Sequence, residues 1–191
     1  MSLKKYSEKR NFEETSEPKA EIKKSTKKLR FVVQRHHASR LHYDFRLEMD
    51  GVLKSWAIPK GPSLNPSDKR LAMMVEDHPY DYRTFEGTIP EGNYGAGTVS
   101  VFDEGTYEPL RENVDEKGLL KELKQGDLKF ILHGNILKGE FALVRFKNAE
   151  DNSWLLIKHK DDHAVTQKFD SENLVPEAIK KKGIEWKKAH Q

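Results

Sequence analysis

The chain has 191 residues, contains no cysteine and has charged side chains at 34 % of its positions. The absence of cysteine excludes disulfide bonds and thiolate metal ligands, so any metal must bind histidine, aspartate or glutamate. The sequence shows no secretory signal and no run of roughly 20 apolar residues, so we expect a cytoplasmic protein that does not contact a membrane.

Charge is distributed unevenly along the chain, although the net charge is only +3. Residues 1–30 carry a net charge of +5 and residues 176–191 carry +3, which leaves the middle acidic. Basic termini can bind a phosphate backbone, but such segments are often solvated tails. We predict three regions: a basic arm at 1–28, a folded domain at 29–175 and a basic tail at 176–191.

The polar residues 1–28 have no regular hydrophobic period and predict an extended arm. A first strand is predicted around Phe31 and Val33, where apolar and polar residues begin to alternate. The segment that follows contains His36 and His37 and is predicted to be a loop.

Strict alternation between Leu41 and Met49 predicts a β-strand, because apolar and polar side chains then point to opposite faces. One face is predicted to lie in the core. The other face carries His42, Asp44 and Arg46 side by side.

A two-residue hairpin turn is predicted at Asp50-Gly51, between this strand and a second strand at 52–58. The turn determines which residues face each other. The expected pairs are Met49 with Val52, Leu47 with Lys54, Phe45 with Trp56, Tyr43 with Ile58, Arg46 with Ser55 and Asp44 with Ala57. Small side chains opposite large polar ones leave room for a ligand.

Five further strands are predicted by short apolar runs that end at Gly, Pro, Asn or Asp. They are residues 71–75, 98–102, 128–133, 141–146 and 154–159. Helices are predicted only at 115–125 and 176–182. Many short strands with few helices predict a mainly β fold, either a barrel or a sandwich, with one or two short flanking helices.

His42 and Asp44 can converge on one ion because residues two apart on a strand share a face. His36 could join them from the preceding loop. Two imidazoles and a carboxylate suit manganese, iron or zinc better than calcium. Arg46 offers a planar guanidinium for phosphate. From spacing alone, a metal site and a salt-bridged polar face explain this pattern equally well.

Two other segments could carry chemistry. Glu76 and His78 follow a predicted strand and precede Tyr82, so this group could transfer protons or hold a substrate oxygen, although a polar turn is the commoner explanation. Residues 89–98 are glycine-rich but lack the Gly-Lys-Ser/Thr ending of a nucleotide-binding loop. We interpret this second segment as a tight turn that enters a strand.

Five segments occur in the order "FVVQRHHASRLHYDFRLE", "SWAIPKGPS", "VEDHPYDY", "IPEGNYGAGTV" and "WLLIKHKDD". Together they resemble the 3′-phosphoesterase domain of bacterial DNA ligase D, of which stand-alone relatives occur in bacteria and archaea. The likeness begins in the arm, where "KRNFEETSEP" is similar to the family's arm motif. Several separate motifs in one order are far more specific than any single motif.

The resemblance implies a compact β-barrel enzyme that uses Mn²⁺, with other divalent transition metals as alternatives. It would remove a 3′-terminal ribonucleoside by a phosphodiesterase step and then the 3′ phosphate by a phosphomonoesterase step. The implied substrates are DNA or RNA-tipped primer-template 3′ ends at the nucleoid. The implied partners are a separate ATP-dependent ligase, a primase-like polymerase and a Ku-type protein.

The family's functional positions can be assigned to individual residues of this chain. The resemblance implies metal ligands at His36, His42 and Asp44, catalytic roles for Arg46, Glu76, His78 and Tyr82, and substrate or phosphate binding by Arg10, Glu17, Lys60 and Arg70. The two arm positions among these are associated with the ribonucleoside-removing step.

Two positions depart from the family pattern. Asn11 stands where the arm commonly has aspartate, and a neutral amide cannot act as a base. The phosphodiesterase step is therefore expected to be weaker, whereas the phosphomonoesterase step does not depend on this residue. His37 stands where aspartate is frequent, and we assign it no role.

Two other functions are compatible with the sequence. The first is a non-catalytic module that binds nucleic-acid ends and recruits a ligase, which the presence of the complete residue set disfavours. The second is a metal-dependent hydrolase of small phosphorylated metabolites, which the basic termini disfavour.

Overall fold

Eight antiparallel strands close into a barrel in the computed structural model, which describes residues 3–25, 28–146 and 152–190. The strands are β1 (Arg30–His37), β2 (Leu41–Met49), β3 (Val52–Ile58), β4 (Arg70–Met74), β5 (His78–Pro79), β6 (Gly87–Ile89), β7 (Gly97–Pro109), β8 (Asp127–Gly134), β9 (Lys138–Arg145) and β10 (Ser153–Lys158). The barrel order is β1-β2-β3-β4-β10-β9-β8-β7, and β7 pairs with β1 to close it. The short strands β5 and β6 pair with β3 and β7 outside this circuit.

The hairpin of β2 and β3 has the predicted register. Met49 pairs with Val52, Arg46 with Ser55 and Asp44 with Ala57. Both turn residues have positive φ, as a type I′ turn requires, with 52° at Asp50 and 77° at Gly51. This part of the fold follows from local sequence alone.

Large apolar side chains fill the barrel. Phe45, Trp56, Phe130, Phe141 and Trp154 are among the largest buried residues, and they belong to one cluster. The apolar positions of β2 point into this cluster. The polar positions of the same strand must therefore point outwards.

A second apolar cluster lies outside the barrel and joins the N-terminal arm (residues 3–25) to it. Its buried members are Tyr6, Leu53, Tyr82, Phe85, Ile89 and Val99. The arm contains a short helix, α1 (Lys4–Glu8), whose Tyr6 is fully buried and donates a hydrogen bond to the carbonyl of Pro18 at 2.6 Å. The arm is therefore packed against the barrel and is not extended throughout.

Two longer helices flank the barrel. The helix α2 (Glu116–Gln125) matches its prediction, with Asp115 accepting a hydrogen bond at the N-cap and Gly126 in the left-handed conformation after the last turn. The helix α3 (Glu177–Ala189) extends beyond the predicted end and packs against β1 and β7. No described helix is long and apolar enough to cross a bilayer.

The structure corrects the prediction for the first strand. His36 and His37 lie in β1, which pairs with both β2 and β7 up to its last residue, and not in a loop. Backbone hydrogen bonds to both neighbouring strands extend β1 beyond the alternating residues Phe31 and Val33. The strands β5 and β6 have only two and three residues and gave no sequence signal.

Tyr6→Ala is expected to release the arm while the barrel remains folded. Removing a buried aromatic side chain costs about 3–5 kcal/mol, and here that loss falls on the contact between arm and barrel. Trypsin should therefore cut the arm much faster in this variant than in the parent. Tyr6→Phe is the matched control, because it loses one hydrogen bond worth about 1 kcal/mol. Equal cleavage rates for Tyr6→Ala and the parent would show that the arm is held by other contacts.

Candidate active site

The site lies on the outer face of β1 and β2. Residues of β1 at alternate positions, Gln34 and His36, face the same side as Asp44 and Arg46 of β2. His36 pairs with His42 across the two strands, and their ring centroids are 4.7 Å apart. The pleat of two neighbouring strands thus collects five polar side chains on one surface.

His36, His42 and Asp44 form a group that could bind a metal ion. One ligand atom from each lies within 4.8 Å of the others. Nδ1 of His36 is 3.4 Å from one carboxylate oxygen of Asp44, and Nε2 of His42 is 3.6 Å from the other. Within the described ranges this is the one group of three such residues close enough to share an ion.

Each of the two imidazoles has one ring nitrogen on a backbone carbonyl and the other facing Asp44. The hydrogen bond to the carbonyl fixes the tautomer. Nε2 of His36 donates to the carbonyl of Gly95 at 2.8 Å, and Nδ1 of His42 donates to the carbonyl of Arg40 at 2.9 Å. In the neutral rings, Nδ1 of His36 and Nε2 of His42 therefore present lone pairs towards Asp44. Two lone pairs and a carboxylate directed at one point are what a divalent cation requires.

Asp44 is a buried carboxylate, and its surroundings keep it charged. Burial alone would raise its pKa, but the charge of Arg46, joined by the two histidines when they are protonated, holds the pKa well below the ordinary value. The lowered pKa keeps the carboxylate of Asp44 charged at neutral pH.

Arg46 is fixed by hydrogen bonds along its whole guanidinium group. Nε donates to Gln34 at 2.8 Å, one terminal nitrogen to Ser55 at 2.9 Å and the other to Asp44 at 3.1 Å. The group also lies 4.8 Å from the centre of the Tyr82 ring. These contacts leave further N–H groups of the guanidinium for a ligand, since arginine has five.

His78 is neutral and accepts a hydrogen bond at Nε2. Its Nδ1 donates to the backbone carbonyl of Glu76 at 2.9 Å, and Nε2 lies 3.2 Å from a terminal nitrogen of Arg10, which can only donate. Burial lowers the pKa of His78 well below its usual value, and the nearby Arg46 and Arg10 lower it further.

The arm supplies Arg10, which lines the cavity and is held there by buried side chains. Arg10 donates to Glu17 at 2.9 Å and to Glu76 at 3.3 Å, and its guanidinium lies 3.8 Å from the centre of the Tyr6 ring. Tyr82 donates to the same oxygen of Glu17 at 2.9 Å. Burial and this acidic neighbour raise the pKa of Tyr82 well above its usual value, so the phenol is a donor and not a base.

These groups surround one cavity of about 260 Å³. Its lining residues are Arg10, His36, Ala38, His42, Asp44, Arg46, Ala57, Val75, Glu76, His78, Tyr82, Ile89, Tyr94 and Gly95. The cavity thus combines a group that could bind a metal ion, two arginines and a neutral histidine, which is an arrangement suited to a phosphate ester.

A model of the DNA ligase D 3′-phosphoesterase domain matches residues 34–145, more than half of the chain. The chain belongs to this family. It is 49 % identical over 181 residues to the multifunctional non-homologous end joining protein LigD of Pseudomonas aeruginosa. This match covers 93 % of the chain and 21 % of that protein. It is 45 % identical over 148 residues to the corresponding DNA repair protein of Mycobacterium tuberculosis, covering 76 % of the chain and 18 % of that protein. The chain thus spans about a fifth of the length of these relatives.

The structure places two of the family positions elsewhere. Lys60 and Arg70 line a separate cavity of about 370 Å³, together with Tyr43, whose side chain points to the opposite face of β2. Arg70 donates there to Asp68 at 3.1 Å and to the carbonyl of Phe169 at 2.9 Å. Phosphate binding by Lys60 and Arg70 stays a prediction, and neither residue lines the cavity that contains His36, His42 and Asp44.

Sequence reasoning missed residues that position the site. Gln34 holds Arg46 and donates to the carbonyls of Tyr82 and Phe85, both at 2.9 Å. Gln34 is two residues from His36, and on a strand this spacing would have placed both side chains on one face. The prediction of a loop at His36 removed that inference. His37 points to the other face, where it packs beneath Gly183 of α3.

The pKa of His78 is expected to lie below the ordinary histidine value of about 6.5 in the metal-free protein, and Arg10→Met is expected to raise it. The folded state then holds His78 neutral while the unfolded chain takes up a proton below that value, so this group destabilises the fold as pH falls. Proton NMR titration of the His78 ring, assigned with His78→Gln, measures the midpoint. A midpoint at or above 6.5 in the parent would contradict the neutral assignment.

Proposed function

We propose that this chain is a metal-dependent phosphoesterase that repairs nucleic-acid 3′ ends. It removes a 3′-terminal ribonucleoside and then the remaining 3′ phosphate, and it leaves a 3′-OH end for ligation. The observation that carries the proposal is the single cavity in which His36, His42 and Asp44 meet Arg46 and His78. Membership of the DNA ligase D 3′-phosphoesterase domain family supports the choice of substrate.

The three ligand residues fit Mn²⁺ or another divalent transition metal, because they offer two imidazole nitrogens and a carboxylate without a thiolate. Such an ion, when bound, acts as a Lewis acid towards phosphoryl oxygens and lowers the pKa of bound water. The carbonyls of Gly95 and Arg40 orient the two imidazoles for this purpose.

Arg46 holds the phosphate next to this group. Its position is predetermined by Gln34, Ser55 and Asp44, so little reorganisation is needed when charge builds up on the phosphoryl oxygens. Arg10 approaches the same space from the arm and adds a second cation. Two arginines on one phosphate provide both attraction and orientation.

His78 acts in its neutral form. Donation of a proton from Nε2 to a leaving oxygen would require a protonated ring, which burial and two arginines oppose. Nε2 is instead an acceptor that orients Arg10 or a hydroxyl group of the substrate. The nucleophile is most simply a water molecule.

Glu17 supports Arg10, the other arm residue that we associate with the ribonucleoside-removing step. Glu17 is buried and binds Arg10 and Tyr82 at one oxygen and Thr15 at the other, at 3.0 Å. A carboxylate that receives three donors is a rigid support for Arg10. We assign Glu17 this positioning role, and we assign Glu76 a similar role through its contacts with Arg10 and Lys9.

Joining of the healed end requires other activities. By analogy with relatives whose names describe non-homologous end joining, we propose an ATP-dependent ligase, a primase-like polymerase and a Ku-type protein as partners.

In a manganese-dependent assay, the parent should convert two labelled primer-templates, one with a 3′ ribonucleotide and one with a 3′ phosphate. His42→Ala should lower both rates on the order of 100-fold or more, since even an indirect disturbance of metal ligands costs 10- to 100-fold. His133→Ala is the control, because that histidine is exposed and bonded to Glu108. Tight binding of both substrates without turnover, with Mn, Zn, Co or Mg, would favour the non-catalytic module instead.

Asn11→Asp is expected to accelerate ribonucleoside removal several-fold and to leave phosphate removal unchanged. The side-chain oxygen of Asn11 accepts a hydrogen bond from the backbone N–H of Glu13 at 3.2 Å, and a carboxylate can make the same bond. The variant therefore adds charge without disturbing the turn. Equal ribonucleoside removal by Asn11→Asp and the parent would show that this position does not limit the first step.

A further inference from the structure

Tyr94 is a half-exposed aromatic residue at the edge of the cavity. It lies in the turn between β6 and β7, lines the cavity and is 48 % exposed. The other tyrosine in the lining, Tyr82, is 2 % exposed and bonded to Glu17. Among the described lining residues, Tyr94 is therefore the phenol ring that a ligand can reach.

The turn holds Tyr94 in a fixed relation to the metal-binding group. Gly92 and Gly95 have φ values of 82° and 77°, which L side chains rarely adopt. A backbone bond from Ala96 to Asn93, at 3.1 Å, tightens the turn. The carbonyl of Gly95 accepts the hydrogen bond from His36, so Tyr94 is one residue away from a group that orients a candidate metal ligand.

The arm also fixes the ring. The ammonium of Lys9 lies 4.3 Å from the ring centre and 3.2 Å from the phenol oxygen, and the same ammonium binds Glu76 at 2.9 Å. The guanidinium of Arg10 is 5.7 Å from the ring centre. Tyr94 is thus ordered without being buried, and ordering a platform in advance reduces the entropy lost when a ligand binds.

We propose that Tyr94 is a stacking platform for the base of the 3′-terminal nucleotide. This inference rests on the proposed function and adds the part of the substrate that the phosphate-binding groups do not recognise. With the phosphate at Arg46, the attached nucleoside must leave through the cavity edge, where Tyr94 offers an exposed ring. Every base has a flat π-face, so stacking would accept all four bases without selecting a sequence.

The alternative is that Tyr94 only covers Lys9 and Arg10. The two roles differ in their dependence on the base. Loss of a stacking partner weakens binding of an end that carries a base and leaves an abasic end unchanged. Loss of the contact of Tyr94 with Lys9 and Arg10 weakens binding of both kinds of end equally.

The test uses a primer-template with 2-aminopurine at its 3′-phosphorylated terminus and a matched one with an abasic terminus, both titrated with protein in the presence of a chelator. The parent should quench 2-aminopurine, and Tyr94→Phe should retain the quenching. Tyr94→Leu should abolish it and weaken binding of the 2-aminopurine end by about 5- to 150-fold, the range of one base–aromatic stack. Binding of the abasic end should stay within about two-fold of the parent value.

Phe146→Leu is the control, because Phe146 is 41 % exposed and does not line the cavity. Equal weakening of both ends by Tyr94→Leu, or unchanged quenching, would overturn the stacking role. These outcomes do not depend on turnover. If the parent quenches 2-aminopurine but never removes the phosphate with any metal, the proposed function fails while the stacking role stands.

Discussion

The structure depends on one buried anion, Asp44, and on the groups that neutralise it. A carboxylate removed from water is costly unless charges and hydrogen bonds surround it, and here the guanidinium of Arg46 supplies both. Arg46 is in turn held by Gln34, so β1 and β2 are joined by polar contacts on one face and by the core on the other. With the lone pairs of His36 and His42, Asp44 forms a candidate cation site beside this fixed guanidinium.

The uneven charge of the sequence has a structural explanation in the arm. Lys9 binds Glu76, Lys23 binds Asp81 and Lys24 binds Asp50 at 3.3 Å, so basic residues of the arm pair with acidic residues of the barrel. The side chains of Lys9, Lys23 and Lys24 are 39 %, 47 % and 53 % exposed, so each of these ion pairs contributes little by itself, whereas Tyr6 is fully buried against the barrel. The arm is thereby part of the cavity wall and delivers Arg10 to the site.

Local patterns predicted the parts of the fold that local physics determines. Alternation along β2 and the turn at Asp50 gave the register, and with it the shared face of His42, Asp44 and Arg46. The contact between Arg10 and His78, 68 residues apart, could not be deduced from either segment. The separation of Arg70 from the cavity that contains Asp44 depends likewise on how the barrel closes. The family resemblance supplied these residues as a set, but only the structure shows which of them meet.

The most direct test of this account is Mn²⁺ titration of the parent and of Asp44→Asn by calorimetry, with His133→Ala as a control. Asparagine keeps the shape of the side chain but removes the charge that Arg46 and the two histidines surround. The account predicts one ion per parent chain and an affinity on the order of 100-fold lower in Asp44→Asn, with a parental value in the control. Equal Mn²⁺ binding by the parent and Asp44→Asn would contradict it.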